Sequence, residues 1–173
     1  MLLQMLNKSG FANRYHTWLV GIVAGLTGGA IEILWIAIYE HLSGGEATAV
    51  ARGVTEVLFP KLATSAAAVP LGIVIHMGLA IMLGIAISVF VRSVLPRTAP
   101  AVLEPLAVVG LLVCVWAINF FLILPAINPS FVALVPYTAS LTSKVLFGAA
   151  AALALRLFDG SHPSEGQDRK GDQ

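Results

Sequence analysis

Four long apolar segments constrain what this chain can fold into. A helix of about 20 residues spans the hydrocarbon core of a bilayer, which is about 30 Å thick. The segments are continuous apolar stretches without the alternation of a membrane β-strand, and this favours helices over a barrel. We therefore predict four membrane spans, at residues 18–39, 66–91, 106–127 and 135–158.

The composition leads to the same class of protein. Apolar residues make up 58% of the 173 residues and charged residues 11%, against about 45–50% and 25% in soluble domains. We predict an all-α integral membrane protein in which four transmembrane helices form an antiparallel bundle. A formal net charge of +1 provides no basic surface for nucleic acid. The lipid bilayer is the partner that this composition implies.

The rest of the chain divides around these spans. Residues 1–17 form an N-terminal segment, residues 18–158 the four-helix transmembrane domain, and residues 159–173 a polar tail that we predict to be disordered. The sequence Asn128-Pro129-Ser130 predicts a tight turn between the last two spans.

The connection between the first two spans predicts a short amphipathic helix. Ser43 and Glu46 have the spacing of a capping box at a helix start. Four apolar residues then recur on one helical face: Val50, Val54, Val57 and Leu58. Such a helix either lies at the membrane surface or packs over the mouth of the bundle.

The distribution of Lys and Arg predicts the orientation. With four spans, both termini lie on one side, and that side carries seven Lys and Arg residues against two on the other. Because positive loops stay inside, we predict that both termini are cytoplasmic and that the amphipathic helix faces outward. The architecture is typical of small four-span proteins of the bacterial inner membrane.

Each span carries one polar residue near the same depth. Glu32, His76, Asn119 and Lys144 lie 14, 15, 13 and 14 residues from the predicted cytoplasmic ends of their spans. At 1.5 Å per residue, all four sit about 20 Å deep, in one layer. A charge inside a membrane helix costs about 2.5–3.5 kcal/mol, so it normally has a partner. We predict a buried Glu32–Lys144 ion pair flanked by His76 and Asn119.

Small residues share helical faces with three of these polar residues. Small faces in membrane helices pack against other helices, which predicts that the polar layer is interior. The glycines predicted to form these packing faces are Gly21, Gly25 and Gly29 in the first span, Gly72 and Gly84 in the second, and Gly148 in the fourth.

The polar layer allows two interpretations, one structural and one functional. It either fixes the register of the helices or marks a proton or ion pathway, or a small polar ligand site. His76 alone would need a histidine from a second chain to hold a haem. The sequence contains no ExxH pair, HExxH or CxxC motif, so we predict no metal and no cofactor.

No motif predicts an enzyme. Ser140 lies one turn from Lys144, as in a Ser-Lys nucleophile pair, but no oxyanion hole is recognisable and the sequence does not favour catalysis. Glu40 and His41, at the outer end of the first span, point in different directions and are interpreted as interfacial.

Two classes of function remain. The favoured prediction is a non-catalytic accessory or assembly subunit of a larger membrane complex. The alternative is a small oligomeric transporter or a proton- or ion-conducting protein that uses the polar layer. Either class implies association, as a homo-oligomer or as a hetero-complex with other membrane proteins.

Overall fold

The structure is almost entirely helical. The computed structural model describes residues 2–96 and 98–159, with side chains described between residues 15 and 158 except at 97. The helices are α1 (Leu2–Ser43), α2 (Ala49–Leu58), α3 (Ala68–Val94), α4 (Leu103–Ile118), α5 (Leu124–Ile127), α6 (Pro129–Leu134) and α7 (Tyr137–Asp159). A 3-10 turn at Pro60–Leu62 precedes α3, and a π-helical turn at Asn119–Ile123 joins α4 to α5.

Four helical segments are long and apolar enough to cross a membrane. They are Tyr15–Ser43, Ala68–Val94, Leu103–Ile127 and Tyr137–Phe158. This confirms the prediction of an all-α protein with four potential spans, and each observed end lies within four residues of the predicted one. Of the predicted disordered tail, residues 160–173 lie outside the described part of the chain.

The four spanning helices share one hydrophobic core, to which each contributes buried residues. Helix α1 packs extensively on α3 and on α7, while α4 packs mainly on α7 and contacts α3 less. Along the α1–α3 contact, Gly21 meets Ile85 and Gly25 meets Ile81, so these two helices are antiparallel. Helix α1 therefore contacts the two helices that carry His76 and Lys144, whereas α4, which carries Trp116, packs mainly on α7.

Glycines allow α1 and α3 to touch backbone to backbone. A Cβ atom on Gly21 would lie 2.6 Å from Ile85 Cα, and one on Gly84 would lie 2.6 Å from Gly25 Cα. A Cβ on Gly29 would lie 2.7 Å from the Ala80 Cβ. Such distances are too short for any side chain, so the close approach requires these glycines.

The remaining two glycines of the predicted packing faces contact other elements. Gly148 of α7 lies against α4, where a Cβ would come within 2.9 Å of Val109 Cγ2. Gly72 of α3 lies against the Ala51 carbonyl of α2, which is not a spanning helix.

Helix α2 packs directly on the first turns of α3. The Thr55 hydroxyl donates a 2.6 Å hydrogen bond to the Ala68 carbonyl. Gly53 and Thr55 are the buried residues of α2, whereas Leu58, on the predicted apolar face, is 55% exposed. Small residues rather than the valine face therefore make the main contact with the bundle.

The predicted capping box is wrong, because α1 continues further than the sequence suggested. The Ser43 hydroxyl donates to the Tyr39 carbonyl at 2.8 Å, within the last turn of α1. Gly44 then ends the helix in the left-handed region, with φ of 76°. Helix α2 starts at Ala49, and the Thr48 side chain makes no capping hydrogen bond to it.

The predicted tight turn at Asn128 is also wrong. The Asn128 side chain accepts a 3.2 Å hydrogen bond from the Phe131 amide and caps the short helix α6. Asn is among the preferred residues at this capping position, and Pro129 suits the first helical position because it needs no amide partner.

Pro125 explains the π-helical turn that follows α4. Proline has no amide hydrogen, and its ring crowds the carbonyl four residues earlier. The Leu124 amide bonds instead to the Asn119 carbonyl, which is the longer i→i+5 pattern. The wider turn keeps Trp116, Phe120 and Leu124 buried along one side.

Candidate functional site

A charged pair joins α1 to α7 in the interior. The Lys144 ammonium lies 2.5 Å from Glu32 Oε1 and 2.7 Å from Oε2, so both carboxylate oxygens accept from the same Nζ. Glu32 is 8% exposed, and the Lys144 side chain is 17% exposed. A pair with this geometry and burial is charge-assisted and shielded from solvent.

Two further side chains complete the surroundings of the pair. The Ser143 hydroxyl lies 3.1 Å from Glu32 Oε1 and 2.7 Å from the Ser140 carbonyl, and it can donate to either acceptor. The Phe147 ring centroid lies 5.8 Å from the Lys144 ammonium, close enough for a cation–π contact. Gly28 makes room for this ring, because a Cβ there would come within 2.6 Å of Phe147 Cδ1.

His76 lies at the edge of this pair. Its Nε2 atom is 3.9 Å from Glu32 Oε2, which is too far for a hydrogen bond. The same atom is buried and has no hydrogen-bond partner among the residues the structure describes. A small rotation of either side chain would bring the imidazole within bonding distance of the carboxylate.

Asn119 stands apart from the other three polar residues. It is partly buried at the start of the π-helical turn, and its side chain makes no hydrogen bond within the described part of the chain. Matching depth does not make it a neighbour, because α4 packs mainly on α7 rather than on α1. The structure therefore brings together Glu32, His76 and Lys144 from three helices, without Asn119.

A separate polar contact joins α4 to α7. The Trp116 indole donates a 2.9 Å hydrogen bond to the Ser140 hydroxyl, which lies 3.2 Å from the Tyr137 carbonyl and donates to it. This bond and the role of Ser143 were missed by the sequence analysis. Seryl groups usually bond their own helix backbone, so the sequence carries little signal for contacts between helices.

A third contact missed from the sequence links α1 to α7 nearer the α2 side of the bundle. The Trp35 indole donates a 3.0 Å hydrogen bond to the Ala139 carbonyl. Together with the Glu32–Lys144 pair, it ties α1 to α7 at two levels.

The geometry limits the chemistry of this site. No group of three or more His, Cys, Asp or Glu side chains suited to a metal occurs in the described residues. The Lys144 amine is bonded to Glu32, and the Ser140 hydroxyl is bonded to Trp116 and Tyr137, so a Ser-Lys nucleophile pair is not assembled. The arrangement can fix two helices through a charge pair, or pass a proton between Glu32 and His76.

No family model, curated protein or solved structure matches the chain. The assignment of function therefore depends on the geometry of the bundle and its charged pair.

Proposed function

We propose that this protein is a non-enzymatic accessory or assembly subunit of a larger complex in the bacterial inner membrane. The observation that carries the proposal is the large uncovered surface of α3 and of the span that begins with α4. In an 18-residue apolar stretch of α3, only 22% of the residues are buried, and the share is the same in the span Leu103–Ile127. Two helices with this much free surface suit a protein that packs against other membrane helices.

Open glycines on both of these helices support contact with other helices. A Cβ atom on Gly78 of α3 or Gly110 of α4 would meet nothing within 4 Å. Small residues at such positions let a neighbouring helix approach closely, and they are common where membrane helices associate.

The charged pair supports a structural role for the polar layer. Lys144 and Ser143 both contact the Glu32 carboxylate, so its charge is matched within the chain. Such a pair fixes the register of the helices even when its net contribution to stability is small.

A tagged chain purified from native membranes in mild detergent tests the assembly role. Mass spectrometry of the intact complex should detect a second polypeptide at a fixed ratio. The variants Gly78→Leu and Gly110→Leu should lose this polypeptide, whereas Met82→Leu, a change at an exposed position of α3, should keep it. Recovery of the chain with its own copies alone, combined with Glu32-dependent proton flux, would overturn the proposal.

We propose further that both termini are cytoplasmic and that α2 lies on the outer side. The excess of Lys and Arg on the side of the termini supports this orientation. Thr64 and Thr98 form a matched pair of exposed residues in the two relevant loops. With Cys114→Ser removing the single native cysteine, Thr64→Cys should react with an impermeant maleimide in intact cells and Thr98→Cys only after lysis. The opposite pattern would reverse the orientation.

A second candidate function, proton conduction, is favoured by one observation at His76. Its buried Nε2 atom has no hydrogen-bond partner in the described chain and lies 3.9 Å from Glu32 Oε2. Imidazole exchanges protons near neutral pH and suits a relay. In proteoliposomes, a conducting protein should lose proton flux in both Glu32→Gln and His76→Gln. Equal flux in the wild type and Glu32→Gln would exclude this role.

A further inference from the structure

Glu40 occupies a largely buried position near the end of α1, and its carboxylate oxygens reach the protein surface. Only 7% of the residue is exposed, and its carboxylate forms no ion pair or hydrogen bond with any residue that the structure describes. The side chain folds against Gly45, where a Cβ would collide with Oε2. Helix α1 ends at Ser43, and the negative end of its dipole adds to the charge of Glu40. A cation placed beside Glu40 would therefore be stabilised by both negative charges.

The nearby cations of the same chain are engaged or distant. Arg52 pairs with Glu46 at 3.8 Å. Lys61 is exposed and forms no ion pair within the described residues. Lys61 lies just beyond the last residue of α2. Glu40 lies near the start of α2, because its neighbour Tyr39 and Val50, the second residue of α2, pack on the same apolar cluster. Because α2 is about 15 Å long, Glu40 and Lys61 lie at opposite ends of it.

We propose that Glu40 binds Lys61 of a second copy of this chain, across a two-fold interface formed by α2. The inference rests on the membrane placement proposed above. Two copies related by a two-fold axis along the membrane normal each have an α2 helix in the membrane surface. The axis places these two helices side by side and antiparallel. Each Glu40 then meets a Lys61 from the other copy, and both contacts form together, as symmetry requires. A lysine stem is long and flexible enough to reach a recessed carboxylate.

The charges in the middle of α2 are also arranged so that two antiparallel copies would place opposite charges together. Arg52 and Glu56 lie one turn apart on one face, and Glu56 is exposed with no ion pair in the described chain. Antiparallel pairing centred between them places Arg52 of one copy beside Glu56 of the other, twice. The contact of Arg52 with Glu46 is a loose surface pair at 3.8 Å and leaves its guanidinium able to reach this second carboxylate. The face that carries these charges also exposes Phe59, at 47%, which adds apolar area to the contact.

Rescue between two differently tagged chains tests this interface. In Glu40→Lys alone or Lys61→Glu alone, like charges would meet at both contacts. We expect the recovery of doubly tagged dimers to fall at least about tenfold in each case. Co-expression of the Glu40→Lys chain with the Lys61→Glu chain restores opposite charges at both contacts, so recovery should return to the wild-type level. Glu104→Lys, at the other end of the bundle, should leave recovery unchanged.

A folding defect cannot produce this rescue, because a partner chain does not repair it. If the Glu40→Lys chain fails to accumulate, Arg52→Glu and Glu56→Arg provide the same cross at more accessible positions. Undiminished dimer recovery in the single reversals, or a loss that the mixed chains do not regain, overturns the interface. Either result leaves the thiol labelling at Thr64 and Thr98, and the search for a second polypeptide, as separate tests of the proposed function.

Discussion

Removing one partner of the Glu32–Lys144 pair should destabilise the protein far more than removing both. Lys144→Met has a similar length and no charge. It would leave the Glu32 carboxylate with one hydrogen-bond donor, the Ser143 hydroxyl at 3.1 Å, and with the His76 imidazole at 3.9 Å. Breaking a buried pair from one side costs about 3–5 kcal/mol. Because the Lys144 side chain is 17% exposed, we expect the low end, about 3 kcal/mol for Lys144→Met and a similar loss for Glu32→Gln.

The double variant Glu32→Gln, Lys144→Met carries no unpaired charge. We expect it to lose only about 1–2 kcal/mol, because an ion pair replaced on both sides is often nearly neutral. The coupling energy, which is the sum of the single losses minus the double loss, should therefore be about 4–5 kcal/mol. The charge swap Glu32→Lys with Lys144→Glu should likewise be more stable than either single reversal.

Unfolding in mixed micelles, followed by circular dichroism, measures these free energies. Asn119→Leu is the matched control, because Asn119 has nearly the same depth but no hydrogen bond to Glu32 in the structure. Its effect should add to that of Glu32→Gln within about 0.5 kcal/mol. Additive losses for Glu32→Gln and Lys144→Met would refute the reasoning, since independent residues cannot be partners.

Three shorter predictions follow from other contacts. Gly84→Ala should lower the free energy of unfolding by about 1–3 kcal/mol, because a Cβ there would meet Gly25 Cα at 2.6 Å. The control Gly78→Ala, on the same helix, should show no measurable loss in the same unfolding assay. Trp116→Phe should cost about 1–2 kcal/mol and leave the Ser140 hydroxyl without its indole donor, seen as a lower free energy of unfolding than for the wild type. Thr55→Val should cost about 1 kcal/mol by removing the hydrogen bond from the Thr55 hydroxyl to the Ala68 carbonyl, as judged from the thermal midpoint.

Depth along a span could be read from the sequence, but the order of the helices could not. Counting residues placed Glu32, His76, Asn119 and Lys144 in one layer, and three of them do meet. Asn119 does not, because α4 packs mainly on α7 rather than on α1. Hydropathy and small-residue faces indicate that a helix packs against other helices. They do not indicate which helices these are.

Short sequence motifs predicted the ends of two helices wrongly. Ser43 and Glu46 fit a capping box by spacing, but α1 continues through Ser43 and stops only at Gly44, the one described residue with positive φ. At Asn128 the opposite occurred: turn-forming residues proved to be the cap of a short helix. A motif of four residues does not show whether the helix precedes it or follows it along the chain.

The two faces of α1 are held by different kinds of interaction, and this has a consequence for assembly. Contact with α3 depends on glycines and therefore on close packing, while contact with α7 includes the Glu32–Lys144 pair. Helix α4 packs mainly on α7, and α2 packs on α3. Loss of the charge pair should therefore loosen α7 and α4 together, whereas an enlarged glycine should loosen α3 and α2. If α2 forms the interface between copies, charge-pair variants should still dimerise under conditions where Gly84 variants do not.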